Sequence, residues 1–176
     1  MILQQCSATT DQFPNSLESY FEIFNFLTSH IAGLETTIRS SGNDVLPNIY
    51  CSVLCIILLP LYLLNKEIRL KEKAIYVLLL IFFLISFNCN YTNFIWHAFH
   101  FPNDLPYRFS YMYSFILLVI GFRALRKFKS TQYRDIVLSG ILWIIALVLF
   151  EKFPTEKFTD TTVYITLAFV IIWTGT

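Results

Sequence analysis

Charge is scarce in this sequence. Asp, Glu, Lys and Arg make up 14% of 176 residues, where a soluble domain carries about a quarter. That excludes an ordinary soluble fold. The net charge of +1 says nothing of nucleic acid, because the basic residues are segregated by loop and not gathered on one face, and no nucleic-acid partner is expected. Cysteine is sparse as well, and the four present include no CxxC. Cys51 and Cys55 are four residues apart. That fits neither a redox motif nor a zinc site, so they read as small apolar side chains of a buried helix. Cys6 and Cys89 are the pair an oxidising compartment could join. A secretory leader is also absent: Met1 is followed by no basic region and no apolar core with a cleavage site.

Apolar residues fill the space that charge leaves. They make up 56% of the chain, with 18 Phe and 10 Tyr, and the mean hydropathy is +0.58. Five apolar runs, at 46–64, 74–87, 109–122, 136–150 and 161–173, predict an all-α, polytopic membrane protein with about five transmembrane helices. A crossing takes about 20 residues. Only the first run reaches that length alone; the others need flanking aromatics and snorkelling Lys or Arg. Pro60 predicts a kink in the first helix. The linkers 65–73 and 123–134 together hold nine basic residues, and the positive-inside rule places them in the cytoplasm. Loops 88–108 and 151–160 then face outward, as does everything before residue 46.

Within that outward segment Leu17, Tyr20, Phe21, Phe24, Leu27, Ile31 and Leu34 recur at helical spacing. The spacing predicts an amphipathic helix on the outer surface, ended by the turn cluster at 40–44. The chain thus divides into an extracytoplasmic segment, 1–45, and a transmembrane helical domain, 46–176. An outward segment without a leader, and a C-terminus straight out of an apolar run, read as an internal piece of a larger membrane protein. On this reading N- and C-terminal parts are missing.

The segment 93–110, NFIWHAFHFPNDLPYRFS, differs from an ordinary exit loop. It combines aromatic rings, two imidazoles and one guanidinium at a bilayer edge, which suits an anionic, lipid-linked head group. His97 and His100 are three apart, so one helical turn would put both on one face. Such a pair can hydrogen-bond a phosphate, shuttle protons or ligate a divalent metal ion, for which Asp104 is the nearby third ligand. No cofactor is certain, and a divalent metal stays open. Trp96, Phe99 and Phe101 also suit an interfacial aromatic belt. Arg108 begins a span from the side where positive charge is disfavoured, so it needs an acid or a phosphate as partner. Pro102 and Pro106 stiffen the approach. Asn90-Tyr91-Thr92 fits a glycosylation sequon close to the membrane.

The runs LPNIYCS, NKEIRLKEK and NFIWHAFHFPNDLPYRFSYMYSFILL resemble the bacterial YfhO family, large polytopic membrane proteins of GT-C glycosyltransferase architecture. The resemblance is close over roughly 40–130 and looser at the flanks. It implies sugar transfer from a polyprenyl-phosphate donor to an anionic cell-surface polymer, with lipoteichoic or wall teichoic acid as the acceptor class. Asn93, Trp96, His97, Pro102, Pro106, Arg108 and Ser110 match the family pattern, and His100 joins them as a substrate-binding candidate. GT-C enzymes carry a catalytic acid in the first outer loop, after the first span. This chain shows no such span and loop, so its catalytic residues are unassigned and activity of the chain alone is not expected. Transfer needs a base for the acceptor hydroxyl and positive charge for the leaving phosphate; this chain offers the second. A transporter or flippase for a lipid-linked substrate, with Pro60 breaking a helix, and a non-catalytic structural subunit are the other classes open.

Overall fold

The first apolar run does not become the longest helix. In the computed structural model, which describes residues 9–10, 13–33, 36, 46–99, 101–102, 107–151 and 160–175, residues 46–52 form no regular secondary structure. Only Val53–Leu64 is helical, 12 residues in all. Ser52 marks the change: its φ is +105° and its side chain accepts a hydrogen bond from the Leu54 N–H, as a helix N-cap does. Ahead of it, α1 spans Ile23–Thr28 and the short helix just defined is α2. α3 Leu70–Asn88, α5 Ser110–Arg126, α6 Tyr133–Glu151 and α7 Asp160–Gly175 fall on the expected apolar runs, whereas α4, Asn90–Trp96, forms inside the segment 88–108 expected to be a loop. One short antiparallel ladder joins β1, Thr9–Thr10, to β2, Phe101–Pro102.

Among the described residues, no helix is long and apolar enough to cross a membrane. The helices nonetheless turn apolar faces outward. Leu78 and Ile85 on α3, Phe115 and Phe122 on α5, Val148 on α6 and Ile172 on α7 are all about half exposed or more. Inside lie Ser86, Asn93, Ser139 and Thr166, all buried.

α2 packs against α5, α6 and α7 and is the hub of the bundle. At its crossing with α5, Gly121 faces Cys55: a Cβ added there would sit 3.6 Å from the Cys55 Sγ. Small residues allow that close approach, and Cys55 and Cys51 are free thiols, as the sequence reading has them. Pro60 does not break α2, which continues to Leu64. Lacking an N–H, it leaves the Ile56 carbonyl without its helical donor. The neighbouring helix supplies one: the Trp143 indole N–H donates to Ile56 O at 3.0 Å, and the Ser139 hydroxyl donates to Ile57 O at 2.8 Å. Both lie on α6, one turn apart. Trp143→Phe should therefore destabilise the protein by about 1–3 kcal/mol, the cost of a stranded buried carbonyl. In the Pro60→Ala background, which restores the helical donor, the same change should cost measurably less. Unfolding midpoints of the four proteins in this double-mutant cycle check it.

The expected surface helix over 17–34 is not formed along the described residues, 17–33. Helix is confined to Ile23–Thr28, and Leu17 is 70% exposed. Before α1 the chain is irregular and is stitched to the junction of α3 and α4. The Asn88 side-chain oxygen accepts from the backbone N–H groups of Tyr20 and Phe21 at 3.0 and 2.9 Å. The Asn90 oxygen accepts from Glu18 N–H at 3.2 Å, and its amide nitrogen donates to Ser16 O at 2.7 Å. That last bond, with Asn90 only 4% exposed, removes the sequon nitrogen from use as a sugar acceptor. After α1, His30, Ile31 and Ala32 are buried within the bundle. This segment is part of the core, not a layer over it.

Candidate functional site

One end of the bundle holds the sequence candidates. α3 and α5 run antiparallel: Phe83 and Phe87 on α3 meet Phe109 and Tyr113 at the start of α5, while Tyr76 meets Arg123 at its far end. At the first end an aromatic cluster forms around Phe87, whose ring stacks on Phe109 at 4.9 Å. Trp96 stacks on the other side of the cluster, 4.7 Å from Phe109 and 5.9 Å from Phe83. Its ring packs inward, away from an interfacial belt role, whereas Phe99 is 63% exposed.

α4 places Asn93 and His97 four residues apart, on one face. The Asn93 amide nitrogen donates to the Tyr20 hydroxyl at 3.3 Å, and its carbonyl oxygen Oδ1 is buried without a partner. His97 Nδ1 lies 2.8 Å from the Asn93 backbone carbonyl. A carbonyl only accepts, so Nδ1 carries the proton and Nε2 presents a lone pair. Nε2 is also buried without a partner. Burial pushes the His97 pKa down and the Arg108 charge pushes it further, against the raising effect of the Asn93 carbonyl. His97 is therefore a neutral imidazole at neutral pH.

The helical turn that would align His97 with His100 does not exist. α4 ends at Trp96, and Ala98 and Phe99 follow with φ of +56° and +64°. Phe99 N–H donates to Phe94 O and Ala98 N–H to Ile95 O, closing the helix with left-handed residues where glycine is usual. Two adjacent non-glycine residues in this region store backbone strain of about 1–3 kcal/mol each, directly after the imidazole. His100, Asp104 and Pro106 lie outside the described residues. Of Pro102 the backbone is placed, paired with Thr9. Among the described residues no group of three His, Cys, Asp or Glu side chains converges on a metal position.

Arg108 is exposed, one residue before the helix N-cap Phe109. Among the described residues it makes no ion pair, and it is close enough to His97 to act on its charge. This end of the bundle thus combines an exposed guanidinium, which makes no ion pair among the described residues, with the aromatic cluster and two buried acceptor atoms without partners, Asn93 Oδ1 and His97 Nε2.

A family model described as bacterial membrane protein YfhO matches residues 2–174. The chain belongs to the YfhO family. Comparison with curated proteins and with solved structures finds no match. As a YfhO protein it is a bacterial membrane protein. The match also extends the close sequence resemblance over 40–130 into both flanks.

Sequence reasoning missed His30. It is buried, with Nδ1 donating to Leu27 O at 3.1 Å and Nε2 accepting from the Tyr113 hydroxyl at 3.0 Å. The signal was a lone imidazole among apolar neighbours, with no hint of a tyrosine 83 positions away. Burial lowers its pKa to about 4. Between about pH 4 and 6.5 the unfolded chain binds a proton that the folded one does not. The stability His30 gives is therefore full above pH 6.5 and lost as pH falls towards 4. Moving from pH 7 to pH 5 should destabilise the protein by about 2 kcal/mol, read as a fall in the unfolding midpoint. The His30→Gln variant should lose most of that slope. An unchanged slope would assign the acid sensitivity elsewhere.

Proposed function

We propose that this YfhO protein forms part of a GT-C-type membrane glycosyltransferase. It moves a sugar from a polyprenyl-phosphate donor to an anionic surface polymer, such as teichoic acid, on the outer face of the membrane. Arg108 carries the reading: an exposed guanidinium, unpaired among the described residues, stands beside a neutral imidazole at the aromatic end of the bundle. Its role is to hold the donor phosphate and stabilise the charge that develops as the sugar leaves. Asn93 and His97 bind donor or acceptor hydroxyls through oxygen and nitrogen lone pairs rather than gripping the phosphate. Trp96 holds their helix against the aromatic cluster. His100 and Pro102 complete the substrate loop. The catalytic base is supplied by parts of the protein beyond these residues.

The reading requires five membrane crossings, with linkers 65–73 and 123–134 in the cytoplasm and 88–108 outside. Outward apolar faces and the nine basic linker residues support it. Labelling intact cells with a membrane-impermeant thiol reagent tests it in a background without native cysteines. Asn103→Cys should label, and Lys129→Cys only after lysis. The reverse pattern would put the Arg108 end in the cytoplasm and end the proposal. A transporter reading loses its motive in the helix itself, since α2 runs unbroken through Pro60.

A further inference from the structure

At the other end of α3 and α5 lies a second polar site, which rests on the linker orientation proposed above but not on the transfer chemistry. α3 separates the two ends by about 27 Å. A cavity of about 250 Å³ opens there, lined by Arg69, Glu72, Arg123, Arg126, Lys127 and Glu67, with the apolar Ile68 as its remaining wall. It draws cations from both basic linkers, the α2–α3 connection and the C-terminal turn of α5.

The walls are fixed by Asn65, which is buried. Its amide nitrogen donates to Lys127 O at 3.2 Å and to the Ser130 hydroxyl at 3.0 Å, while its oxygen accepts from Glu67 N–H at 2.9 Å. Lys73 closes the end of α2, donating to Leu63 O and Asn65 O. One side chain thus ties the two linkers together, and the cations approach from a set backbone.

Charge in the cavity does not balance. Glu72 is engaged by Arg123 at 2.8 Å, and also accepts from the Tyr62 hydroxyl at 3.4 Å. Glu67 is engaged by Lys127 at 3.0 Å. Both carboxylates are thereby answered, and Arg123 is further held over the Tyr76 ring. Arg69 and Arg126 have no acidic partner among the described residues. Four cations against two acids leave a charge of +2, carried by two guanidinium forks suited to paired phosphate oxygens.

We propose that this cavity binds a phosphate ester, held by Arg69 and Arg126. The ester is either the headgroup of an anionic phospholipid or a soluble phosphate. Basic pockets between helices at the cytoplasmic surface are where anionic headgroups collect, and the volume leaves room for carbon beside the phosphate.

The purified protein in bilayer discs tests both sources. Discs of phosphatidylcholine alone are compared with discs containing phosphatidylglycerol, and with phosphatidylcholine discs given glycerol phosphate. Phosphatidylglycerol should raise the unfolding midpoint by about 5 °C, as a ligand bound only to the folded state does. Arg69→Gln/Arg126→Gln should abolish the rise. Lys66→Gln/Lys129→Gln removes as much charge from the same linkers outside the cavity lining and should keep it. A rise with glycerol phosphate as well would identify a soluble ester; a rise with the lipid alone identifies the headgroup. No rise with either, or equal loss in both double variants, would overturn the proposal in favour of diffuse attraction. If the Arg69→Gln/Arg126→Gln protein does not fold, each single variant should lose about half the rise, and retention of the full rise in both would likewise overturn it.

Discussion

Arg108→Lys, made in the intact protein, is expected to slow sugar transfer by roughly 10²–10³-fold, as removal of a preorganised donor does elsewhere. An ammonium keeps the charge but not the planar fork, so a bidentate grip on phosphate is lost. Arg108→Ala should be no worse than about tenfold beyond that. The structure sharpens the control. Arg108 is exposed and without an ion-pair partner among the described residues, so either change should leave stability within about 0.5 kcal/mol. A structural arginine would instead take folding down with activity, and Asp104→Asn would then reproduce the loss. Arg108 also presses the His97 pKa downward. Arg108→Ala should let it rise, visible by titrating the imidazole resonance. Full activity of Arg108→Lys would remove the phosphate clamp from the mechanism.

The helices of this protein were legible because apolar runs and helices share their cause: a buried or lipid-facing side chain needs its backbone bonded internally. Their ends were less so. The one clue to the start of α2 was Ser52, a residue type that favours N-caps, set inside an otherwise continuous apolar run. The segment 17–34 misled for a different reason. Its apolar spacing fits a helix, and Phe21, Phe26 and Ile31 are indeed buried. But Asn88 and Asn90 capture backbone groups of residues 16–21 from 67–74 positions away, and a bonded irregular chain stands ahead of a helix that begins only at Ile23. Local periodicity carries no trace of so distant a partner. The same holds at the site. Asn93, Trp96 and His97 were identified by residue type, yet their roles came only with geometry: Trp96 as floor, His97 as a neutral acceptor, Asn93 as its neighbour on α4. Tyr20, which bonds Asn93, was read as one apolar position in a surface helix.

Phe87→Ala should be among the most costly single substitutions in the described chain, at about 3–5 kcal/mol. Phe87 is fully buried where four segments converge. Its ring stacks on Phe109 and lies edge-on to Tyr107 and Tyr113, at 5.8 and 5.9 Å. It also leans on Phe26 of α1 and Phe83 of α3, at 6.0 and 6.1 Å. Such pairs add about 0.5–1.5 kcal/mol beyond area burial, and removal of the ring leaves a void. Packing is the relevant term if lipid surrounds the bundle, because hydrocarbon outside a helix gives no hydrophobic gain for closing the gap within it. Phe87→Leu should cost distinctly less, since its void is smaller. Phe115→Ala, on the outward face of α5 and 64% exposed, should cost least of the three. The order is read from unfolding midpoints in detergent or bilayer discs. Because Phe109 lies under both His97 and Trp96, protease cleavage before α1 and loss of transfer should appear in Phe87→Ala together. A Phe87→Ala protein as stable as Phe115→Ala would mean the aromatic cluster does not hold this end of the bundle, and the site would lose its floor.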